Sequence, residues 1–194
     1  MGTINEPESD PNQPRAFSIP WPPLYRGKVA LRPWGASPKD PEFLAAAWAD
    51  PEIARWTKVP TDHGRDAAKR WIDGEGVRRD SGLALDLAIT EAGSPEVVFG
   101  EVGLVLVELE RRWAEIGYWL FPGVRGSGRG AAAVEAFADW VIAEQDIKRV
   151  FARINPANPA SERVVEKAGF AMAGEMPDGT RVWAMDAPPP PTMS

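Results

Sequence analysis

The chain has 194 residues, a net charge of −6 and a pI of about 5.0. That length is enough for one domain with a real core, and the acidic balance, with no basic stripe, argues against nucleic acid as a partner. Cysteine is absent and His63 is the only histidine, which excludes disulfides, cysteine nucleophiles and thiolate metal sites and leaves a Ser-His-Asp site without support, since Gly-x-Ser-x-Gly is also missing.

No apolar run is long enough to span a membrane, and the acidic start MGTINEPESD has no apolar core of the kind a secretion signal needs. A soluble cytoplasmic protein is expected, with no metal. Residues 1–27 are rich in proline and polar residues and read as an arm without regular structure, with Phe17, Ile19, Trp21 and Leu24 available to pin its second half. Lys28 to Arg32 reads as the first strand, ended by Pro33. Asp40-Pro41 and Asp50-Pro51 each combine a capping carboxylate with proline at the first helical position. They predict a helix to Ala49 and a short one reaching Trp56. Arg65 to Asp73 is helical in character, with Ala68, Trp71 and Ile72 to pack. Leu83, Leu85, Leu87 and Ile89 alternate with smaller or polar residues, the mark of a strand with one apolar face. Val97 to Val107 is a long strand in which Gly100 and Gly103 predict a bend or bulge. Ala114 to Leu120 completes an antiparallel meander.

Phe121-Pro122-Gly123 breaks that strand. Arg125-Gly126-Ser127-Gly128-Arg129-Gly130 follows, and then Ala131 begins a run that sets Val134, Phe137, Val141 and Ile142 on one helical face. The first amides of a helix have no internal partner and carry partial positive charge. Glycines let an anion approach them, and Arg125 and Arg129 can add charged hydrogen bonds. The stretch therefore predicts a phosphate or diphosphate site. The P-loop pattern Gly-x-x-x-x-Gly-Lys-Ser/Thr is absent. Gly126-x-Gly128-x-x-Ala131 meets the loose dinucleotide fingerprint, but Asp146 precedes the next strand, where the ribose-binding acid should end it, and too little chain remains for a Rossmann sheet. Arg149 to Ile154 is that strand. Ser161 to Ala168 is a short helix, with Gly169 as its left-handed cap. Phe170 to Gly174 and Arg181 to Met185 are the last strands, and residues 187–194 form a polyproline tail.

Arg125, Gly128 and Gly130 also satisfy Arg/Gln-x-x-Gly-x-Gly/Ala, which resembles the acetyl-CoA diphosphate loop of the GNAT superfamily of N-acetyltransferases. The segments Ala114-Glu115-Ile116-Gly117-Tyr118-Trp119-Leu120, Arg153-Ile154-Asn155-Pro156-Ala157-Asn158-Pro159-Ala160-Ser161 and Val165-Glu166-Lys167-Ala168-Gly169-Phe170 are similar in order and spacing to the RimJ/RimL branch. The resemblance covers residues 28–186, taken as the catalytic domain. It implies an α+β fold with a mixed, mostly antiparallel sheet flanked by helices, whose central strands splay apart to admit a pantetheine arm.

What the resemblance implies for activity is acetyl transfer from acetyl-CoA, as co-substrate, to a primary amine by direct transfer in a ternary complex. The amine would belong to a protein N-terminus, a lysine or a small molecule. The cofactor set is Trp119, Leu120, Arg125, Gly126, Ser127, Gly128, Arg129, Gly130, Ala131 and Asn158, with a backbone N–H near Trp119 or Leu120 polarising the carbonyl. Glu115 matches a strand position that supplies a catalytic glutamate in some members, and Glu101, on the neighbouring strand, is the alternative base. The tyrosine that many members carry on the helix after the Asn-x-x-Ser turn is replaced by Val165, so Ser161 becomes the group facing the sulfur. Trp56, His63 and Trp71 fall in the region that forms part of the acceptor cleft. A catalytically weak acyl-CoA sensor is the competing expectation. A homodimer is common in the resembled branch.

Overall fold

The computed structural model describes residues 16–189. The first fifteen residues of the predicted arm and the end of the predicted polyproline tail lie outside them. Strands β1 (Leu24–Arg26) and β2 (Val29–Pro33) precede four helices, α1 (Asp40–Ala49), α2 (Pro51–Trp56), α3 (Arg65–Asp73) and α4 (Glu75–Asp80). A meander follows, β3 (Leu85–Glu91), β4 (Ser94–Glu108) and β5 (Trp113–Leu120). After a 3-10 turn at Pro122–Val124 come α5 (Arg129–Glu144), β6 (Arg149–Ile154), α6 (Pro159–Lys167), β7 (Ala171–Glu175) and β8 (Arg181–Asp186). They build one sheet in the order β1-β2-β3-β4-β5-β6-β8-β7.

Every neighbouring pair is antiparallel except β5 and β6, which the α5 crossover makes parallel. That pair holds only at its start, through Trp113↔Arg149, Ala114↔Val150 and Glu115↔Phe151. Beyond Glu115 the two strands part, as expected from the sequence resemblance. Each second amide of β5 from Ile116 onward therefore faces a gap instead of a partner strand.

Alternation along the strands makes two cores. Leu85, Leu87, Ile89, Val102, Leu104, Ala114 and Ile116 pack on Val134, Phe137 and Val141 of α5. On the other face Ala88 and Trp119 pack with Trp34, Leu44, Trp48, Ile53 and Ala68 beneath α1 to α3. β4 carries the irregularities its glycines predict. Its register with β3 shifts next to Gly100, and its register with β5 shifts between Leu104 and Leu106. At Gly100 a Cβ would run into the Trp119 carbonyl, so glycine is what lets the strands close there.

Two elements were not foreseen. The predicted structureless arm contributes β1, which pairs with β2 through Tyr25↔Ala30, so regular structure begins at Leu24 and not at Lys28. Phe17 is buried, as a pinning residue should be, whereas Trp21 is 91% exposed. α4 is the other, and within it Arg78 donates to Glu75 Oε2 at 3.0 Å. Asp50 caps α2 as expected, accepting from Glu52 N and Ile53 N at 2.9 Å each. Asp40 is instead the first residue of α1, turned inward onto Arg32.

Candidate active site

The glycine-rich turn crosses the mouth of the gap between β5 and β6. Gly126 and Gly128 have φ of 75° and 80°, the left-handed region that favours glycine, and a Cβ at either would meet open space. Gly128 is the N-cap of α5, and no side chain caps that helix. The first α5 amides are thus aimed outward with no side-chain partner, where an anion can accept from them. Gly130 serves packing: a Cβ there would press on Leu120 and sit close to Val164.

The adjoining cleft is lined by Trp119, Leu120, Arg125, Gly126, Gly128, Gly130, Ala131, Asn158 and Ser161 from the expected set, and also by Trp56. Ser127 and Arg129 do other work. Ser127 Oγ donates to Val124 O at 2.8 Å, Arg129 donates to Ser127 Oγ at 2.8 Å, and the Arg129 guanidinium lies 4.6 Å from the Phe99 ring centroid. Both side chains brace the turn. Arg125 donates to Leu120 O at 2.9 Å and pairs with Glu52 at 3.0 Å, which ties the turn to α2. Arg163 and Lys167, one helical turn apart on α6, supply the cleft with positive charge that sequence reasoning passed over. Their spacing after the Asn-x-x-Ser turn was the available signal.

Asn158 caps α6, accepting from Ser161 N at 3.1 Å, so its amide NH2 remains available to donate. Ser161 meets a residue the sequence reasoning assigned no role. Tyr118 Oη lies 2.6 Å from Ser161 Oγ and 3.0 Å from Ser161 O. Burial raises the Tyr118 phenol above its ordinary value, so it stays protonated as a donor. A hydroxyl pair from β5 and α6 thus stands in this cleft, where the sequence, with Val165 in the helix, offered only Ser161.

The two carboxylates proposed as base differ sharply. Glu115 sits at the last paired rung of β5 and β6, and Arg153 clasps it with Nε at 3.0 Å from Oε1 and a second nitrogen at 2.5 Å from Oε2. Both oxygens are committed to a guanidinium that holds its proton at all relevant pH. Glu101 is paired in register with Trp119 and accepts from the Trp119 indole at 3.0 Å. Its Oε2 is enclosed and has no hydrogen-bond partner among the described residues. Burial, with Glu75 nearby, pushes the Glu101 carboxyl up to about 7, against the lowering effect of the Trp119 and Trp34 indoles. Trp71 packs edge-on against Trp48 with centroids 6.2 Å apart and carries the Arg78 guanidinium at 4.2 Å. His63 lies exposed in the loop before α3. Neither reaches the cleft.

Comparison with known proteins agrees with this architecture. The model of the acetyltransferase (GNAT) domain matches residues 28–171. An uncharacterized N-acetyltransferase, p20, of Bacillus licheniformis is 25% identical over 155 residues, covering 80% of this chain and 85% of that protein. Among solved structures, RimJ of Mycobacterium smegmatis with a CoA disulfide superposes with a TM-score of 0.71 at 22% identity, over 85% of this chain and 86% of that one. A ribosomal-protein-S5-alanine acetyltransferase from Vibrio fischeri gives a TM-score of 0.72 at 17% identity, over 85% and 96%. The fold is that of the RimJ/RimL-like members, and no helix among the described residues is long and apolar enough to cross a membrane. With a bare helix N-terminus at a forked parallel pair and a family model matching most of its length, the chain belongs to the GNAT acetyltransferase family and is an acyl-CoA-dependent N-acetyltransferase.

Proposed function

We propose that the chain acetylates a primary amine from acetyl-CoA by direct transfer, in the cytoplasm, with both substrates bound together. The observation that carries this is the set of uncapped α5 amides beside the β5–β6 fork, flanked by Arg163 and Lys167. The fit to a diphosphate with a long arm is good: open glycine backbone, helix dipole and cations at one end, a slot between strands at the other. Acetyl-CoA, when bound, supplies an acetyl thioester that a neutral amine can attack. The C–N bond forms, the C–S bond breaks, one proton leaves the nitrogen and one is needed at the sulfur.

The residues divide these tasks. The α5 amides with Gly126 and Gly128 hold the diphosphate, and the Asn158 amide donates to the arm. An unpaired β5 amide near Trp119 or Leu120 donates to the carbonyl oxygen as negative charge develops there. Glu101, hydrogen-bonded to the Trp119 indole and outside the cleft lining, takes the amine proton through water, because it combines an oxygen without a partner with a carboxyl raised to about 7. Glu115 braces the fork with Arg153. Tyr118 hands a proton through Ser161 toward the sulfur. That hydroxyl pair weighs against a merely acyl-CoA-binding sensor. Trp56, which lines the cleft, meets the acceptor.

Calorimetry with acetyl-CoA tests the site. Wild type should bind, and Gly128→Glu should lose about a hundredfold or more in affinity, since a carboxylate would meet the diphosphate and a bulky residue would be forced to a positive φ. Failure of wild type to bind would remove the reading altogether. Tyr118→Phe should lower kcat about tenfold or more with little change in KM for acetyl-CoA. An unchanged kcat would reduce the hydroxyl pair to a packing contact.

A further inference from the structure

Helix α6 sorts its charges by face. Glu162 and Glu166 fall four residues apart, and so do Arg163 and Lys167, so each sign runs as its own stripe. The cleft takes only the basic stripe: Arg163 and Lys167 line it, and neither glutamate does. Glu162 is turned to β8, where it accepts from Arg181 at 2.8 Å. Like charges one turn apart repel, and among the described residues neither cation has a side-chain partner to relieve this. The other charged side chains of the cleft, Glu52 and Arg125, pair with each other at 3.0 Å. Arg163 and Lys167 therefore stand uncompensated, on a chain whose net charge is −6.

A diphosphate is already provided for by the uncapped first amides of α5 and the open backbone at Gly126 and Gly128. The two cations sit beside that amide cluster. A Cβ on Gly130, in the first turn of α5, would lie 3.5 Å from Val164, so α6 touches the start of α5 through Val164. Arg163 and Lys167 flank that contact. Along α6 the order is Asn158 and Ser161 at the end that meets the arm and the sulfur, then Val164 against the α5 N-terminus, then Lys167 a turn further on. On the side of the diphosphate away from the thioester, a CoA molecule presents a ribose that carries a 3′-phosphate.

We propose that Arg163 and Lys167 form a subsite for a phosphomonoester at the nucleotide end of the donor, the 3′-phosphate of CoA, and so make the enzyme select CoA over its 3′-dephospho form. This rests on the acetyl-CoA reading of the cleft. A phosphomonoester carries about −1.5 to −2 charge at neutral pH and three strong acceptor oxygens, a match for two cations that the diphosphate site leaves over. The Arg163 guanidinium can engage two of those oxygens with its planar fork, while the Lys167 ammonium acts as a point charge. Neither side chain acts on the thioester; together they set which donor is held.

The test is calorimetry with CoA and 3′-dephospho-CoA, which share the diphosphate and the arm and differ only in the 3′-phosphate. Wild type should bind CoA about tenfold or more tighter, the difference a charged hydrogen bond makes. In the double variant Arg163→Gln with Lys167→Gln that ratio should fall to within about twofold, an estimate on the same scale. The fall should come from lost CoA affinity alone, with 3′-dephospho-CoA bound as in wild type. Both side chains are exposed, so the core is untouched by the change; should the double variant still fail to fold, each single variant should lose part of the CoA preference. Equal binding of the two forms by wild type overturns the subsite and leaves the acetyl-CoA reading standing. Variants that lose affinity for both forms alike overturn it too, because the cations would then serve the diphosphate. So does a CoA preference that survives undiminished in the variants. If wild type binds neither form, the subsite and the transfer reading fall together.

Discussion

Glu101→Gln should lower kcat by roughly a hundred- to ten-thousandfold, the usual worth of a positioned general base. The pH profile gives the sharper result. With the Glu101 carboxyl at about 7, wild-type kcat/KM should rise from acid pH and level off above that value, because only the carboxylate accepts a proton. Glu101→Gln should lose that limb. Glu115→Gln should keep it, because Glu115 is locked onto Arg153 at both oxygens; its effect should be a looser fork, read as lowered stability and a raised KM for acetyl-CoA. An acid limb that vanishes in Glu115→Gln and persists in Glu101→Gln would reverse the two roles.

The same residue ties activity to stability. The Glu101 carboxyl is raised above the value of 4.5 it has when exposed, chiefly by burial, so folding favours its protonated form. The stability this contributes is complete below about 4.5 and is lost as pH climbs through about 7, because the folded chain must then hold a buried charge. Glu101→Gln carries no such charge. It should melt higher than wild type at pH 8 and lose the advantage at pH 4, so a crippled variant that is more stable would mark Glu101 as a group kept for chemistry.

What could be read from the sequence depended on how local the encoding was. The turn from Arg125 to Ala131 was legible because its spacing specifies backbone geometry within one stretch, and Gly126 and Gly128 have the positive φ that such spacing implies. Gly169 was legible for the same reason. β1 escaped because a three-residue strand beside prolines has no period to detect, and α4 because six residues with Gly76 inside carry little helical signal. The partners of Glu115 and Glu101 were illegible for a different reason. Arg153 stands 38 positions from Glu115, and Trp119, 18 positions from Glu101, meets it only through the register of β4 with β5. A strand sequence shows which residues share a face, but neighbours across the sheet depend on pairing that no single strand encodes.

Asp40→Ala should destabilise the protein by about 3–5 kcal/mol, the cost of breaking one side of a buried ion pair. Asp40 is fully buried and Arg32 is 6% exposed. Two guanidinium nitrogens of Arg32 reach the two Asp40 oxygens at 2.8 Å each, Arg32 Nε donates to Pro95 O at 2.9 Å, and Asp40 also accepts from Gly35 N at 2.8 Å. One pair therefore fastens the start of α1 to β2 and to the start of β4. Removing the carboxylate strands a guanidinium without its counter-charge and frees the Gly35 amide, and for a chain of this size the melting temperature should drop by roughly 10 °C. Function should follow. α1 and α2 hold Leu44 and Trp48 against Trp119 and bring Ile53 and Trp56 to the cleft, so the folded fraction of Asp40→Ala should bind acetyl-CoA more weakly. Replacing both partners, Arg32→Met with Asp40→Leu, should recover most of the stability, because an apolar pair carries no desolvation cost. If the double variant is as unstable as Asp40→Ala, the loss comes from the backbone bonds at Gly35 and Pro95, and the ion pair is secondary to the loop that it closes.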